Sequence, residues 1–359
     1  MRKLAILTDA IRFDNQAALK FFRQFRVIHF YKSAPYGDLS KKELQGTIQY
    51  QNSADLENKI CQLKPDIIQG AEPYGSKNQL GLCSVAWKVS RKLKIPLIFP
   101  MLENRPVKKR FGILGPILRK ILKIYAQEAK IIFYLNEGAK ENLLKADAPQ
   151  YKLKPLLYGI WGVDTSIFKP IKIPPQGWQE NRVRRILFVG RIDEAKGIAY
   201  LLEAWKKIRQ EFPMVELMMA GKGPMEERVK GERGVRYLGV VETKSLTKLY
   251  NQALFTIYPS VTLKRWEEQV GMVNLQSLAC GTPVITTKSG AIPEYVNEKV
   301  GILVPEKDAT ALAQAMRKLL EDDKLRQKLG RAGREYILKN FDAKKTIEKT
   351  EEILLGLLK

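Results

Sequence analysis

The sequence predicts an α/β protein built from two Rossmann-like, doubly wound domains. Three observations carry that reading. The chain has 359 residues, more than one hydrophobic core usually serves. Short apolar runs alternate with helical patterns, and the series occurs twice; that rhythm indicates parallel sheets with crossover helices. Between the two series lies "YGIWGVDTSIFKPIKIPPQGWQENRVRR", rich in Pro, Gly and polar residues, which reads as a linker. The expected division is a first domain over 1–160, a linker over 161–183 and a second domain over 184–340. A C-terminal helix over 341–359 is expected to pack back toward the first domain.

In chain order, the first series offers strands at 3–8, 26–31, 66–70, 96–101 and 130–135, each a short run rich in Ile, Leu, Val or aromatic residues. Helical spacing falls at 17–26, 53–63, 79–93 and 138–145. The second series offers strands at 185–190, 215–221, 236–239, 254–259 and 282–287, with helices at 198–212, 243–252, 272–280 and 309–322. Two such domains are expected to face each other across a cleft, with ligands beyond the carboxyl ends of the strands. No GxGxxG follows the first strand, where "TDAIRFDN" stands instead. That disfavours a simple nicotinamide dehydrogenase.

Composition narrows the classes further. No apolar run approaches the ~20 residues that a membrane span needs. The start, "MRKLAILTDA", reads as a first strand rather than a signal peptide. Three scattered cysteines without a CxxC argue for a reducing compartment, with neither a disulfide framework nor a zinc site. The expected location is therefore cytoplasmic. The net charge is +24, from 62 Lys and Arg against 38 Asp and Glu. Such a field attracts nucleic acid, anionic lipid or phosphorylated small molecules. Both halves are basic: residues 1–165 carry 28 basic and 14 acidic side chains, and the remainder 34 and 24.

The chemistry concentrates in the second half. "RILFVGRIDEAKGIAYLLEAW" places Gly190, Arg191 and Lys196 between a strand and an amphipathic helix. Cations beside a helix N-terminus form an anion site, although two solvated surface charges would leave the same pattern. Further on, the loop after "RYLG" could set backbone groups of Gly239, Val240 and Val241 against a nucleotide base. In "WEEQVGMVNLQSLACGTPVITTKSG", Glu268 precedes Gly271, which lets backbone approach a ligand closely. A helix starts near Met272, and Gln276 lies about one turn in, on the side of Met272 and Val273. A nucleotide-sugar suits that set: hydroxyls for Glu268, a diphosphate for the helix end, ribose for Gln276.

Taken together, "GVDTSIFKP", "GRIDEAKG", "AGKGPMEE", "LGVVETKSLTKLYNQA" and "EQVGMVNLQSLACGTPVITTKSGAIPEYV" resemble the retaining glycosyltransferases of family 4, the glycosyl transferases group 1, which have the GT-B fold. The resemblance covers the second domain and the linker. It implies that Arg191 and Lys196 hold the donor diphosphate and that Glu268 contacts the transferred sugar. It further implies that Val270, Gly271, Met272 and Val273 meet sugar and phosphate through backbone. The departure is Gln276, where the family has a second Glu that grips ribose. An amide accepts from one hydroxyl and donates to the other, without the charge-assisted bond, a loss of roughly 1 kcal/mol.

The first half carries less of the resemblance. Its single histidine, His29, sits in a strand and reads as a core or edge residue. Acceptor-side candidates lie past strand ends: Glu72 in "GAEPYG", and Glu103 and Asn104 in "PLIFPMLENRPVKKRFG". A loop Glu103 paired with Arg105 is the competing interpretation. Residues 105–130 hold eight basic side chains and one acidic. From Pro116 the spacing puts Ile117, Ile121, Ile124 and Tyr125 on one helical face, away from Arg119, Lys120 and Lys123. Such a segment either docks on an anionic membrane surface or packs on its own domain.

The activity expected is metal-independent transfer of a hexose from a nucleoside-diphosphate sugar, such as a UDP-sugar or GDP-mannose, to a glycan or lipid-linked acceptor. The anomeric configuration is retained, and the product belongs to cell-envelope polysaccharide synthesis. No cofactor is expected besides the donor substrate, and the protein would sit peripherally at the inner face of the membrane. The alternatives are a GT-B epimerase or phosphorylase, or a catalytically weak GT-B protein that binds membranes or nucleic acid. No base-reading module supports nucleic acid.

Overall fold

A computed structural model describes residues 1–33, 39, 44–157, 161–171 and 184–359. The expected linker segment 172–183 lies outside the described residues. The chain divides into two units, Met1–Gly162 with Ala343–Lys359, and Val163–Asp342.

The first unit is a seven-stranded sheet of β1 (Arg2–Leu7), β2 (Phe25–Tyr31), β3 (Ile48–Gln49), β4 (Ile67–Gln69), β5 (Leu97–Met101), β6 (Ile131–Tyr134) and β7 (Leu153–Pro155). Their order is β3-β2-β1-β4-β5-β6-β7, with every pair parallel. The second unit contains β8 (Arg184–Val189), β9 (Val215–Ala220), β10 (Val235–Gly239), β11 (Phe255–Tyr258), β12 (Val284–Thr287) and β13 (Gly301–Val304). Their order is β10-β9-β8-β11-β12-β13, again all parallel. Both sheets are doubly wound. Central strands such as β5, β6, β11 and β12 are buried at every residue, which is why each reads as a continuous apolar run rather than an alternating one.

Some crossover helices begin where side chains supply caps. Asn52 accepts from the N–H groups of Ala54 and Asp55 to start helix Ser53–Leu63, and Ser76 with Gln79 forms a capping box at helix Lys77–Leu93. Among the described residues, no helix is long and apolar enough to cross a membrane.

Some elements differ from expectation. The helix expected over 17–26 is a short helix, Phe13–Ala17, followed by a 3-10 turn, Ala18–Phe21. Phe21, Phe22 and Phe25 have helical spacing, but Phe25 is claimed by β2, where it pairs with Arg2. Helix Asp323–Asn340 is additional. Its buried residues are Leu329, Gly330, Gly333 and Ile337, so two of its inward positions are glycines and the apolar period is faint. In helix Gly115–Glu128 the inward residues include Leu122, Tyr125 and Ala126. Ile117 and Ile124, placed on the inward face by spacing, are exposed. Apolar residues occur on two sides of this helix, so spacing alone does not identify the buried stripe.

The C-terminal helix, Ala343–Gly356, packs Ile347 and Leu354 into the core of the first unit with Phe22, Phe25 and Trp161. Its Glu351 is buried, and one carboxylate oxygen accepts from the N–H groups of Arg23, Gln24 and Phe25 at 3.0, 2.7 and 3.1 Å. These donors lead into β2, where Phe25 is the first residue, and have no helix to satisfy them. Glu351→Ala leaves them unpaired and is expected to lower stability by roughly 2–3 kcal/mol, read as a lower denaturant midpoint with an unchanged slope. Wild-type stability in this variant would show that water replaces the carboxylate.

Candidate active site

Strand order reverses between β1 and β4 in one unit and between β8 and β11 in the other. Crevices in doubly wound sheets open beyond the carboxyl ends of the strands at such points. In the second unit the loop after β8 runs through Gly190 and Arg191 to Asp193, whose side chain accepts from the Lys196 N–H at 3.0 Å. That cap turns the chain into a 3-10 turn over Glu194–Lys196. Gly197 follows at φ +68°, where a Cβ would lie 1.9 Å from the Pro259 carbonyl oxygen. Only glycine lets the β8 and β11 loops approach this closely.

The approach places Lys196 beside Glu268. Both are buried, at 8% and 9% exposure. Lys196 Nζ lies 2.7 Å from Glu268 Oε2, and that oxygen also accepts from the Tyr258 and Ser260 hydroxyls at 2.8 and 3.1 Å. The ammonium sits over the rings of Trp266 and Tyr258, 4.3 and 4.8 Å from their centroids. Burial pushes the Lys196 pKa down, and Glu268 opposes the shift. Burial first, then Glu268, raises the Tyr258 phenol well above its ordinary value, so it remains a donor.

Arg191 is 56% exposed at its side chain and pairs with Asp193 at 2.9 Å. The two expected cations are thus each matched by a carboxylate; for Lys196 this follows because a buried ammonium is costly without one. Gly271, at φ +77°, caps helix Met272–Ala279. Val270 is buried, and Met272 and Val273 are half-buried. Gln276 is buried, and its Oε1 accepts from the Tyr250 hydroxyl at 3.1 Å. Its neighbour Asn274 is buried too, with Oδ1 lacking a hydrogen-bond partner. Gly239 ends β10, and its carbonyl accepts from the Gly221 N–H at 2.7 Å; Val240 beyond it is exposed. Asp193, Tyr258, Ser260, Trp266 and Tyr250 are partners that sequence reasoning missed. For most of them, position at or just past a strand end is the signal that could have found them.

In the first unit, Glu103 is held by Arg105, with Nε at 2.6 Å from one oxygen and Nη2 at 2.8 Å from the other, and by Arg110. This is the pairing weighed against an acceptor role. Asn104 packs its backbone on Gly138, where a Cβ would come within 2.6 Å of its carbonyl oxygen. Glu72 is different. Its Oε1 accepts from the N–H groups of Leu102 and Glu103 at 2.7 and 2.6 Å, and it lines a cavity of about 330 Å³ with Asp9, Arg12, His29 and Gln69. Gln69 is buried, with Oε1 lacking a hydrogen-bond partner. His29 therefore faces a cavity, while its Nδ1 meets Gln16 Nε2 at 2.9 Å. Asp9, Arg12 and Gln69 are single polar residues without a spacing pattern, and sequence reasoning missed them. Among the described residues, no cluster of His, Cys, Asp or Glu is placed to hold a metal ion.

Residues 172–336 match the family described as glycosyl transferases group 1. Over those residues the chain is similar to that family. It is 33% identical over 230 residues to an uncharacterised glycosyltransferase of Methanocaldococcus jannaschii, covering 60% of this chain and 55% of the relative. It is 28% identical over 179 residues to the glycogen synthase of Mycobacterium tuberculosis, covering 48% and 42%. The chain thus spans about half the length of these relatives. Anabaena HepE, solved in complex with UDP, superposes with a TM-score of 0.78 at 17% identity, over 99% of this chain and all of that one. The fold is the GT-B architecture of two Rossmann-like domains.

The titratable groups around the first cavity predict a pH dependence. Burial raises Glu72 to about 7, against its two neighbouring arginines, so folding takes up a proton between its ordinary carboxyl range and pH 7. Stability from this group falls as pH rises through that window. Burial lowers His29 to about 4, so its contribution rises with pH between about 4 and 6.5. The two slopes oppose each other. Glu72→Gln keeps an acceptor for both N–H groups and removes one slope. Its stability is expected to rise with pH across the window more steeply than wild type, measured as denaturant midpoints against pH. Parallel profiles would exclude the raised Glu72.

Proposed function

We propose that the protein transfers a sugar from a nucleoside-diphosphate sugar to an acceptor hydroxyl, with retention at the anomeric carbon. The observation that carries this reading is the buried Lys196–Glu268 pair between the β8 and β11 loops, in a chain whose residues 172–336 match a glycosyltransferase family. The donor diphosphate takes the N-terminus of helix Met272–Ala279, where first-turn N–H groups lack intrahelical partners. Arg191, exposed and paired with Asp193, turns to the phosphates. Lys196 donates to the leaving diphosphate as negative charge develops on it. Electrostatic stabilisation of this kind usually lowers a reaction barrier more than any other single effect, and here protein cations supply it without a metal. Glu268, relieved of part of its bond to Lys196, accepts from sugar hydroxyls.

The remaining donor contacts follow from the strand ends. The Gly239–Val240 turn receives the base. Gln276, its carbonyl engaged by Tyr250, offers its amide N–H groups to ribose. The acceptor belongs to the first unit, where Asp9, Arg12, Gln69 and Glu72 line the cavity of about 330 Å³. That mixture of acceptors and donors suits a polyhydroxylated glycan or the sugar of a lipid-linked precursor. A hexose is the expected cargo, with UDP favoured by the likeness to a UDP-bound structure and GDP as the competitor.

Two experiments test the reading. Arg191→Ala and Lys196→Ala are each expected to lower turnover ~100-fold or more, followed as nucleoside-diphosphate release in the presence of acceptor; unchanged turnover in both refutes the assignment. Gln276→Glu restores a carboxylate that Tyr250 still supports, and is expected to tighten nucleotide-sugar binding by about 1 kcal/mol. A calorimetric titration without any gain would separate Gln276 from ribose.

A further inference from the structure

Residues 105–130 combine two features that the donor chemistry does not use. Helix Val107–Phe111 ends at Gly112, at φ +54°, and the chain continues through a 3-10 turn to helix Gly115–Glu128. The turn carries its apolar side chains outward. Ile113 is 94% exposed, Leu114 55%, Ile117 58% and Ile124 48%. A single exposed aliphatic residue is ordinary, but a contiguous group marks an interaction surface. Lys108, Lys109, Arg119 and Lys120 are exposed around it. Three other cations of the segment are engaged elsewhere: Arg105 and Arg110 go to buried Glu103, and Lys123 to Asp147. Beside the tip is a cavity of about 500 Å³, walled by Val107, Gly112, Ile113, Gly115 and Pro116, with Lys108 and Arg119 at its lining.

We propose that this tip docks on an anionic phospholipid bilayer. Ile113, Leu114 and Ile117 enter the boundary between headgroups and acyl chains, Ile124 lies against it, and Lys108, Arg119 and Lys120 meet lipid phosphates. The cavity accommodates an acyl segment of a phospholipid whose headgroup phosphate pairs with Lys108 and Arg119. An apolar centre and a basic rim together bind a peripheral protein to a charged membrane. A second copy of the chain is a poor occupant, since like charges would face each other. Nucleic acid would use the rim but leave the aliphatic centre against phosphate and water. The inference rests on this surface alone and stands or falls separately from the donor assignment.

The test is sedimentation of the full chain with vesicles of phosphatidylcholine alone, and of phosphatidylcholine mixed with phosphatidylglycerol, over a range of salt. Binding is expected only with phosphatidylglycerol, weakening as salt rises. The double variants Ile113→Asp, Leu114→Asp and Lys108→Glu, Arg119→Glu are each expected to reduce partition ~10-fold or more, with unfolding midpoints at the wild-type value. Lys324→Glu, Lys328→Glu, exposed on helix Asp323–Asn340, changes net charge as much as the Lys108, Arg119 variant and is expected to keep binding. The proposal is overturned if wild type ignores phosphatidylglycerol, if the tip variants bind as wild type does, or if the Lys324 and Lys328 variant loses as much. Tip-dependent retention on RNA in place of vesicles would overturn it in favour of nucleic acid.

Discussion

Taking an ammonium and a carboxylate out of water costs several kcal/mol per ion. The second unit does this with Lys196 and Glu268, and much of its local structure answers the cost. Glu268 Oε2 receives the Tyr258 and Ser260 hydroxyls in addition to the ammonium. The Trp266 and Tyr258 rings give Lys196 partial solvation through their π faces. The loops are tied to each other: Val261 N–H donates to the Ala195 carbonyl at 2.9 Å, and Thr262 is held through backbone and hydroxyl by Glu306 at 2.5 and 2.8 Å. A site assembled this way has its charges oriented before any substrate arrives, and preorganisation of that kind is what gives electrostatic catalysis its strength.

The first unit handles buried charge differently. Glu103 is saturated by two arginines, which makes it a structural strut. Glu72 has backbone N–H donors on one oxygen and lines a cavity. Desolvation dominates there, and the carboxyl is driven up to about 7. Two acidic residues at adjacent strand ends therefore have opposite availability. Gln69, at the end of β4, adds a buried oxygen without a hydrogen-bond partner. An unsatisfied buried acceptor costs about 1–3 kcal/mol, and a ligand donor in the cavity removes that cost.

Much of the fold was legible because strands buried on both faces are uninterrupted apolar runs. Among the strands that escaped, β3 (Ile48–Gln49) and β7 (Leu153–Pro155) hold one apolar residue each beside polar or proline neighbours, so neither offers an apolar run; β13 (Gly301–Val304) escaped as well. Helix Asp323–Asn340 escaped because Gly330 and Gly333 occupy inward positions, where a Cβ would lie 2.2 Å from the Gly281 carbonyl oxygen and 2.6 Å from Leu278 Cδ2. Close helix packing erased the very signal that reveals a helix. In the candidate site, Arg191, Lys196, Glu268 and Gln276 were legible since each follows a strand or lies in the first turns of a helix. Their pairing was not, because Lys196 and Glu268 are 72 positions apart and nothing local links them. Asp9, Arg12 and Gln69 gather through the parallel order of β1 and β4, a tertiary fact.

The segment after β5 shows how one basic run is divided by geometry. On helix Val107–Phe111, Val107 is buried, and Phe111 stacks edge-on to Tyr74 with centroids 5.2 Å apart. Arg110 lies over both rings, 5.8 Å from Tyr74 and 4.9 Å from Phe111, while it reaches Glu103. Lys108 and Lys109 are exposed. Inward cations therefore fasten the helix, and outward cations remain at the surface. Such anchoring bears on the energetics of the tip that follows. A flexible loop would lose conformational entropy on meeting a surface, about 1–2 kcal/mol for each backbone residue fixed. A tip held at one end by a buried salt-bridged network and at the other by the packed helix Gly115–Glu128 has already lost most of that freedom in folding, so its exposed isoleucines retain more of their transfer energy for binding.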